Sequence, residues 1–281
     1  MKSFEGQFSS DPGVPLFYRY YQEPAASKTL VILHGHGEHS GRYEKFSRFL
    51  QGQSVSIATY DARGYGRSGG KEVYVDSFED FLTDLTAFIG FLEKTFEVKG
   101  KVHLLGHSLG GLMACHWALR YPEKISALFL SSPCLGLRLP QPIVGFNALL
   151  NKFLPGLIFC NPVYPPYLTH SAEELAAYKA DPLIRRKISV RLLNEMLLYM
   201  TKLEAVQRVT FPFPVYGMAA GLEKVVSLDR TSSFFNRLEA PYKELRIFEN
   251  FYHEIFNEQD QERVFDFLKA CLQDARKKGF V

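Results

Sequence analysis

A serine flanked by glycines, lying between a strand-like and a helix-like segment, constrains the fold of this chain more than any other feature. Residues 106–110 (GHSLG) fit the pattern G-x-S-x-G around Ser108. Residues 101–105 (KVHLL) predict a short buried strand, and residues 112–120 (LMACHWALR) predict a helix. The sharp turn between them strains the serine backbone and leaves no room for a Cβ at the glycines. The sequence therefore predicts a nucleophile elbow, with the serine hydroxyl held clear of a sheet at the positive end of a helix dipole.

The rest of the chain predicts strands that alternate with helices. Residues 4–10 and 15–22 predict a hairpin around Asp11, Pro12 and Gly13. Apolar runs are typical of strands buried on both faces and occur at 29–33, 55–60, 126–130, 214–218 and 245–248. Helix-like segments lie between and after them, at 43–51, 78–92, 228–238 and 258–276. This order favours an α/β fold, a mostly parallel sheet with helices on both faces and its chemistry at the carboxyl ends of the strands.

The alternation breaks between about 135 and 210. This segment has Pro-rich turns and helical patterns at about 142–153, 171–180 and 187–206. For a chain of 281 residues we therefore predict a single domain, 1–281, with an inserted helical cap at about 135–210. Residues 144–154 are apolar with few charges, which predicts either a helix buried on the core or a lid that lines an acyl tunnel and touches lipid surfaces.

Composition excludes several classes of protein. The net charge is +3, from 33 basic and 30 acidic residues, which is too balanced for a nucleic-acid-binding protein. The four cysteines lie far apart and match no zinc or redox spacing, which predicts free thiols in a reducing compartment. The N-terminus has no apolar signal region, and polar residues interrupt the longest apolar run, 142–160. We therefore predict a cytoplasmic protein that meets membranes only peripherally.

The base that activates Ser108 is predicted from the order of residues along the chain. A serine nucleophile needs a neutral base and a third group that orients the base, and in α/β-hydrolases the acid and then the histidine follow the serine. Three histidines follow Ser108, namely His116, His170 and His253. His116 falls on the elbow helix and His170 in the cap, whereas His253 follows the predicted strand 245–248 at the carboxyl side of the sheet. The sequence therefore predicts His253 as the base.

The acid is expected just beyond the strand that precedes the histidine. Glu223 lies in the turn after the predicted strand 214–218, Asp181 lies in the cap, and Asp229 lies where the next helix begins. A carboxylate that fixes the histidine tautomer and stabilises imidazolium is all that is required, so a glutamate suffices. We favour Glu223 and keep Asp229 as the alternative.

The oxyanion hole is predicted from two backbone N–H groups. One belongs to Leu109, the residue after the nucleophile, and the other to the loop after the strand 29–33, where His36 is the best candidate. His34 and His39 are predicted to be structural or to line the pocket. The resulting two-step acyl transfer on a small-molecule acyl ester is expected to use no metal and no cofactor.

With these positions named, the chain resembles the monoacylglycerol lipase and lysophospholipase branch of the α/β-hydrolases, a serine aminopeptidase-like family. The likeness runs from about 15 to 270, and three stretches carry it, at 34–43 (HGHGEHSGRY), 61–69 (DARGYGRSG) and 178–183 (YKADPL). The resemblance implies an α/β-hydrolase fold with a mostly parallel eight-stranded sheet, and hydrolysis of a fatty acyl ester of glycerol or a lysolipid. The chain departs from the family pattern at Glu223, where an aspartate is usual, and at His36, where a small residue is usual.

Three other functions fit the same residues. The triad suits an esterase for short or aromatic esters, and it suits an aminopeptidase, which would also need acidic groups for the substrate amine. A hydrolase fold used only to bind a ligand is the alternative without catalysis. Activity against esters of different chain length, and covalent labelling of Ser108 by a fluorophosphonate, separate these functions.

Overall fold

The computed structural model describes residues 1–10, 13–161 and 163–277, so Asp11 and Pro12 of the predicted hairpin turn lie outside the described residues. The strands are β1 (Lys2–Ser10), β2 (Val14–Gln22), β3 (Lys28–Leu33), β4 (Val55–Tyr60), β5 (Val102–His107), β6 (Ile125–Ser131), β7 (Ile158–Cys160), β8 (Lys187–Ser189), β9 (Val209–Thr210), β10 (Val215–Ala220), β11 (Leu238–Glu239) and β12 (Lys243–Phe248). The α-helices are α1 (Glu44–Phe49), α2 (Glu79–Phe96), α3 (Leu109–Arg120), α4 (Gln141–Phe153), α5 (Ala172–Ala180), α6 (Val190–Ala205), α7 (Leu228–Arg237) and α8 (Glu262–Lys277).

Eight of these strands form one sheet in the order β1-β2-β4-β3-β5-β6-β10-β12. The pairs β1–β2 and β2–β4 are antiparallel, and every other pair in the sheet is parallel. The predicted fold, a mostly parallel eight-stranded sheet with helices, is confirmed. Because β5 lies in the middle, the serine that follows it reaches the carboxyl edge at the centre of the sheet.

The central strands are buried on both faces because helices cover both. Alternate residues of β3 point to opposite faces, so that Val31 packs in a core with α2 and α3, whereas Ile32 packs in a second core with α1 and α8. Leu104 and Leu105 of β5 divide between the same two cores. This division explains why the sequence of these strands is continuously apolar rather than alternating.

The segment between β6 and β10 leaves the sheet and contains α4, α5 and α6. The apolar side chains of α4 face outwards, with Phe146 61% exposed and Phe153 75% exposed, and Asn147 is the buried residue of this helix. The prediction that residues 144–154 are buried on the core is therefore wrong. By contrast, the apolar stripe of α6 is buried, including Leu193 and Met196.

The elbow depends on glycines that touch neighbouring backbone, so we expect replacement of Gly110 to destabilise the fold strongly. A Cβ on Gly110 would lie 2.2 Å from the carbonyl oxygen of Leu33, which a rigid central strand holds in place. We expect Gly110→Ala to lower the free energy of unfolding by about 3 kcal/mol or more, because backbone must shift to relieve the overlap. Urea unfolding followed by far-UV circular dichroism measures this.

Gly90→Ala is the matched control for this change. Gly90 lies inside α2, and an added Cβ there meets no atom within 4 Å. Alanine is the better helix former, so we expect stability to rise by about 0.5–1 kcal/mol. Equal unfolding midpoints for the two variants would contradict the packing described for the elbow.

Candidate active site

The strand-to-helix turn holds Ser108 in a strained conformation at the end of β5. Its φ is 50° and its ψ is −115°, in a region that residues with a side chain seldom adopt. The serine N–H donates to the carbonyl oxygen of Ser131 at 3.0 Å, and the serine carbonyl accepts from the N–H of Cys134 at 2.9 Å. These bonds to the end of β6 and to the loop after it keep the hydroxyl at the carboxyl edge of the sheet, as the sequence predicts.

The structure brings Ser108, His253 and Glu223 into one chain of hydrogen bonds. His253 Nε2 lies 3.0 Å from Ser108 Oγ, and His253 Nδ1 lies 2.8 Å from Glu223 Oε2. All three residues are buried, with exposures of 8%, 3% and 6% for the serine, the histidine and the glutamate. The glutamate is itself held, since its Oε1 accepts N–H groups from Val225 at 2.7 Å and from Val226 at 3.2 Å.

The histidines and the acid that the sequence does not favour lie outside this chain of hydrogen bonds. His116 Nε2 is 2.9 Å from the carbonyl oxygen of Tyr199, and His170 Nδ1 is 2.8 Å from Glu258 Oε1. Asp229 is exposed in the first turn of α7. The histidine contact thus distinguishes Glu223 from the alternative acid.

Burial and charge act in opposite directions on the histidine and its carboxylate. Burial lowers the pKa of His253, but the negative charge of Glu223 and its hydrogen bond outweigh burial, so that the pKa lies above its ordinary value of 6.5. Burial likewise raises the pKa of Glu223, and the attraction of His253 with three hydrogen bonds outweighs this effect and holds that pKa below 4.5. The pair is arranged to keep the carboxylate ionised and to stabilise a protonated imidazole.

The raised pKa of His253 makes a prediction about pH. A general base must be neutral, so the hydrolysis rate should rise with pH as His253 loses its proton and fall below that midpoint. We expect the midpoint of the acid limb of kcat/KM for a soluble ester to lie above the ordinary histidine value of 6.5. A pH–rate profile with a p-nitrophenyl ester measures it, and a midpoint below that value would contradict the assigned pair.

A second histidine, which the sequence reasoning did not single out, contacts the first. The rings of His107 and His253 have centroids 5.1 Å apart, and His107 Nδ1 lies 3.0 Å from Ser131 Oγ. Burial lowers the pKa of His107 to about 4, so it is a neutral ring against the base at neutral pH. Its position between the glycine and the serine of the elbow is the signal that could have identified it.

The loop that follows β3 crosses directly over the serine. A Cβ on Gly35 would lie 3.1 Å from Ser108 Cβ, and the N–H of Gly35 donates to Glu38 Oε1 at 2.6 Å. Within the described ranges, the backbone N–H groups of His36 and Leu109, the two predicted oxyanion donors, have no protein acceptor. The His36 ring lies with its Nδ1 2.7 Å from the Tyr65 hydroxyl oxygen, and burial lowers its pKa to about 4.

A pocket extends from Ser108 and His253 towards the cap, with one apolar wall. Residues from the cap and the turns beside it form this wall: Leu137, Leu139, Val163, Ile188, Leu193 and Met196. None of the described residues of α4 lines the pocket, so the prediction that residues 144–154 line an acyl tunnel is wrong. An apolar chain that enters the pocket would instead contact α6 and the turns that flank α4.

The lining of the pocket also includes polar residues. Glu38 and Glu254 both line it, and Arg42, whose side chain is 8% exposed, pairs with both carboxylates. The Tyr43 hydroxyl donates to Glu38 Oε1 at 2.9 Å, and the Arg42 guanidinium lies 5.2 Å from the ring centroid of Tyr178. The sequence does not reveal this group as a unit, although Glu38, Arg42 and Tyr43 all lie in the stretch 34–43 and Glu254 follows His253.

Other features of the chain bear on cofactors and membranes. In the part of the chain that the structure describes, no cluster of three or more His, Cys, Asp or Glu side chains is placed to hold a metal ion. No described helix combines the length and the apolar character that crossing a membrane requires. All four cysteines are free, with Cys160 exposed and the other three buried.

Comparison with known proteins identifies relatives over most of the chain. Residues 24–260 match the family described as Serine aminopeptidase, S33. Human monoglyceride lipase is 30% identical over 88% of this chain and 82% of its own length. Phospholipase YtpA of Bacillus subtilis is 30% identical over 86% of this chain and 93% of its own length. The chain spans 46% of the Escherichia coli protein YnbC, to which it is also 30% identical. The crystal structure of Paleococcus ferrophilus monoacylglycerol lipase superposes with a TM-score of 0.83 at 27% identity, covering 92% of this chain and 99% of that one.

Proposed function

Because the chain belongs to the serine aminopeptidase S33 family of α/β-hydrolases and is a carboxylic ester hydrolase, we propose that it cleaves the ester of a fatty acyl lipid through an acyl-enzyme on Ser108. The proposed substrates are monoacylglycerols or lysophospholipids. The observation that carries the proposal is the chain of hydrogen bonds from Ser108 through His253 to Glu223 at the base of a half-apolar pocket. We further propose that 1–281 is one domain with a cap at about 135–210.

In the proposed reaction His253 removes the proton of Ser108 as the serine oxygen attacks the ester carbonyl. Glu223 accepts the N–H of His253 Nδ1, which leaves Nε2 free to take the proton, and stabilises the imidazolium that forms. His253 then gives the proton to the leaving alcohol, and the acyl group remains on the serine. Water repeats the same steps and releases the fatty acid.

The negative oxygen that develops in each step needs two donors. The backbone N–H groups of His36 and Leu109 are proposed for this role, because each belongs to a segment in contact with Ser108 and neither has a protein acceptor among the described residues. Removing one donor of this kind typically costs about 3–4 kcal/mol of transition-state stabilisation.

The two-sided pocket supports a substrate with an apolar chain and a polar alcohol. The apolar wall suits an acyl chain, with Met196 able to adjust to its shape. The polar lining residues Glu38 and Glu254 suit the hydroxyl groups of the alcohol. A substrate that has only one of these parts would leave half of the pocket unused.

The aminopeptidase alternative has one observation in its favour. Two acidic residues, Glu38 and Glu254, line the pocket, and a substrate amine would need such groups. However, the Arg42 guanidinium already pairs with both carboxylates and reduces their net negative charge. The ester substrate is therefore the better fit.

Rates measured side by side on four substrate classes test the proposal. We expect a monoacylglycerol of long chain or a lysophospholipid to give a higher kcat/KM than p-nitrophenyl acetate, and an amino-acyl amide to give the lowest. Labelling by a fluorophosphonate, followed by peptide mass spectrometry, should modify Ser108. A preference for the amide would favour the peptidase, and an absence of both labelling and turnover would favour a ligand-binding protein.

The exposed apolar face of α4 is proposed to touch the surface of a lipid aggregate. We expect the double change Phe146→Ser and Phe153→Ser to weaken binding to phosphatidylcholine vesicles about 100-fold or more, because burying each ring in lipid contributes about 1.5–3 kcal/mol. Vesicle sedimentation measures the binding. Leu198→Ser on α6, where the leucine is 43% exposed, is the control and should bind as the parent does. Equal loss in the control would argue against a specific role for α4.

A further inference from the structure

The cap lies directly on the loop that crosses the serine, at residues 34–39. The backbone N–H of Arg185 donates to the carbonyl oxygen of Gly37 at 2.8 Å, and a Cβ on Gly37 would lie 2.7 Å from the carbonyl oxygen of Arg185. Gly37 has φ of +85°, so both its conformation and its contact favour glycine. This loop, which holds a proposed oxyanion donor, therefore contacts a segment outside the sheet.

A second contact joins the same two segments through side chains. His39 Nε2 lies 2.8 Å from Asp181 Oδ2. The N–H of Gly41 donates to His39 Nδ1 at 3.2 Å, so Nδ1 is an acceptor and Nε2 carries the hydrogen that it donates to Asp181. Asp181 Oδ1 accepts the N–H of Leu183 at 2.8 Å, so both carboxylate oxygens are engaged.

Hydrogen bonds, here called tethers, fix the loop on both sides of His36, and they come from different parts of the chain. On one side the N–H of Gly35 donates to Glu38, within the loop itself. On the other side Gly37 is bound by Arg185, and His39 is bound by Asp181, both from the cap. The direction of the His36 N–H follows from the backbone between these tethers, and the tethers that follow His36 come from the cap.

We propose that Asp181 is a positioning residue, which acts through His39 to hold the loop 34–39 so that the His36 N–H points at the developing oxyanion. The proposal rests on the proposed function, in which that N–H is an oxyanion donor. It separates two roles of the cap, since the apolar wall binds the acyl chain whereas the segment 181–185 completes the catalytic geometry. Breaking the second role should lower the rate of chemistry without weakening substrate binding.

Asp181→Asn tests this role, because it places an amide N–H₂ opposite either the His39 Nε2–H or the Leu183 N–H, both of which are donors. We expect kcat for p-nitrophenyl butyrate to fall about 10- to 100-fold, since a displaced donor stabilises the oxyanion less, with KM changed less than twofold. The second-order rate of fluorophosphonate labelling should fall by a similar factor, because that reaction also develops a negative oxygen.

Rescue at His39 provides an independent readout. His39→Gln keeps an N–H donor for Asp181 and should retain most of the parent rate, whereas His39→Leu removes the donor and should match Asp181→Asn. If Asp181→Asn fails to fold, as judged by circular dichroism, this pair still decides. Equal rates for the Gln and Leu variants would overturn the proposal.

Glu174→Gln is the matched control for a general weakening of the contact between the cap and the core. Glu174 of α5 pairs with Lys45 of α1, so it also ties the cap to the core, but its ion pair is with α1 and not with a residue of the loop 34–39. It should leave both rates unchanged. Equal losses in Glu174→Gln and Asp181→Asn, a rise in KM at constant kcat, or no change in Asp181→Asn would each overturn the inference. Failure of the proposed function differs, because the parent protein itself would then neither cleave esters nor be labelled at Ser108.

Discussion

Replacing Ser108 by alanine is expected to lower kcat for p-nitrophenyl butyrate by about 10⁴- to 10⁶-fold, with the fold unchanged. The change removes the atom that is proposed to bond to the acyl group, so the proposed acyl-enzyme could not form. What activity remains comes from the oxyanion donors and from binding alone. Fluorophosphonate labelling should disappear together with turnover. The thermal transition should stay close to that of the parent, because among the described residues the lost hydroxyl hydrogen-bonds to a single side chain, His253.

Ser126→Ala is the matched control for this result. Ser126 is also buried, and its hydroxyl likewise lies 3.0 Å from a histidine nitrogen, Nδ1 of His103, while donating to the carbonyl oxygen of Val102. It lies at the opposite end of the sheet, near the start of β6, so its loss should leave kcat within a factor of about two. Full activity in Ser108→Ala, or equal loss in the two variants, would contradict the assignment of the nucleophile.

The nucleophile and the base are predicted from the sequence because short-range patterns and chain order indicate them. The elbow needs a buried strand, small residues at Gly106 and Gly110, and a helix. Each of these has a recognisable sequence pattern, and all lie within about twenty residues. His253 follows from chain order and from its place after a buried strand. Glu223 is predicted less directly, because it follows only from the turn after β10.

The polar contacts around the site are not readable in this way. Glu38 and Arg42 are four residues apart, but the second partner of Arg42, Glu254, is 212 residues away along the chain. Asp181 is likewise 142 residues from His39. No local period marks such pairs, since they exist only once the cap and the sheet have packed together. Burial then determines their importance, because charges removed from water must be paired.

The cap helix α4 illustrates a different limit of the sequence. Its apolar residues recur at helical spacing, which indicates an amphipathic helix but does not tell which surface the apolar face meets. In the structure Phe146 and Phe153 are exposed, and the pocket wall comes from α6 and from loops instead. Periodicity gives the face of a helix, whereas tertiary packing gives its partner.

The acid of the proposed triad provides the second large effect, and Glu223→Gln isolates its charge. The glutamine keeps the size of the side chain, but it cannot both stabilise imidazolium and hold the histidine tautomer as a carboxylate does. We expect kcat for p-nitrophenyl butyrate to fall about 10⁴-fold. Glu223 contributes most, ahead of Glu254 and Glu38, to raising the pKa of His253 against the effect of burial, so its loss should lower that pKa. The acid limb of the pH–rate profile should therefore move to lower pH.

Glu223→Asp separates the charge from the reach of the side chain. It keeps the carboxylate but is one methylene shorter, and in the parent this carboxylate spans from the N–H groups of Val225 and Val226 to His253 Nδ1. We expect an intermediate loss of about 10- to 100-fold, since a displacement of about 1 Å costs roughly that much. The acid limb should stay closer to that of the parent than in Glu223→Gln, because the negative charge remains. If Glu223→Gln kept both the parent rate and the parent pH profile, another group, with Asp229 the first to test, would have to orient His253. Steady-state rates across pH for the parent and the two variants distinguish two roles of Glu223. Either its charge raises the pKa of His253, or its side chain only supports the turn after β10.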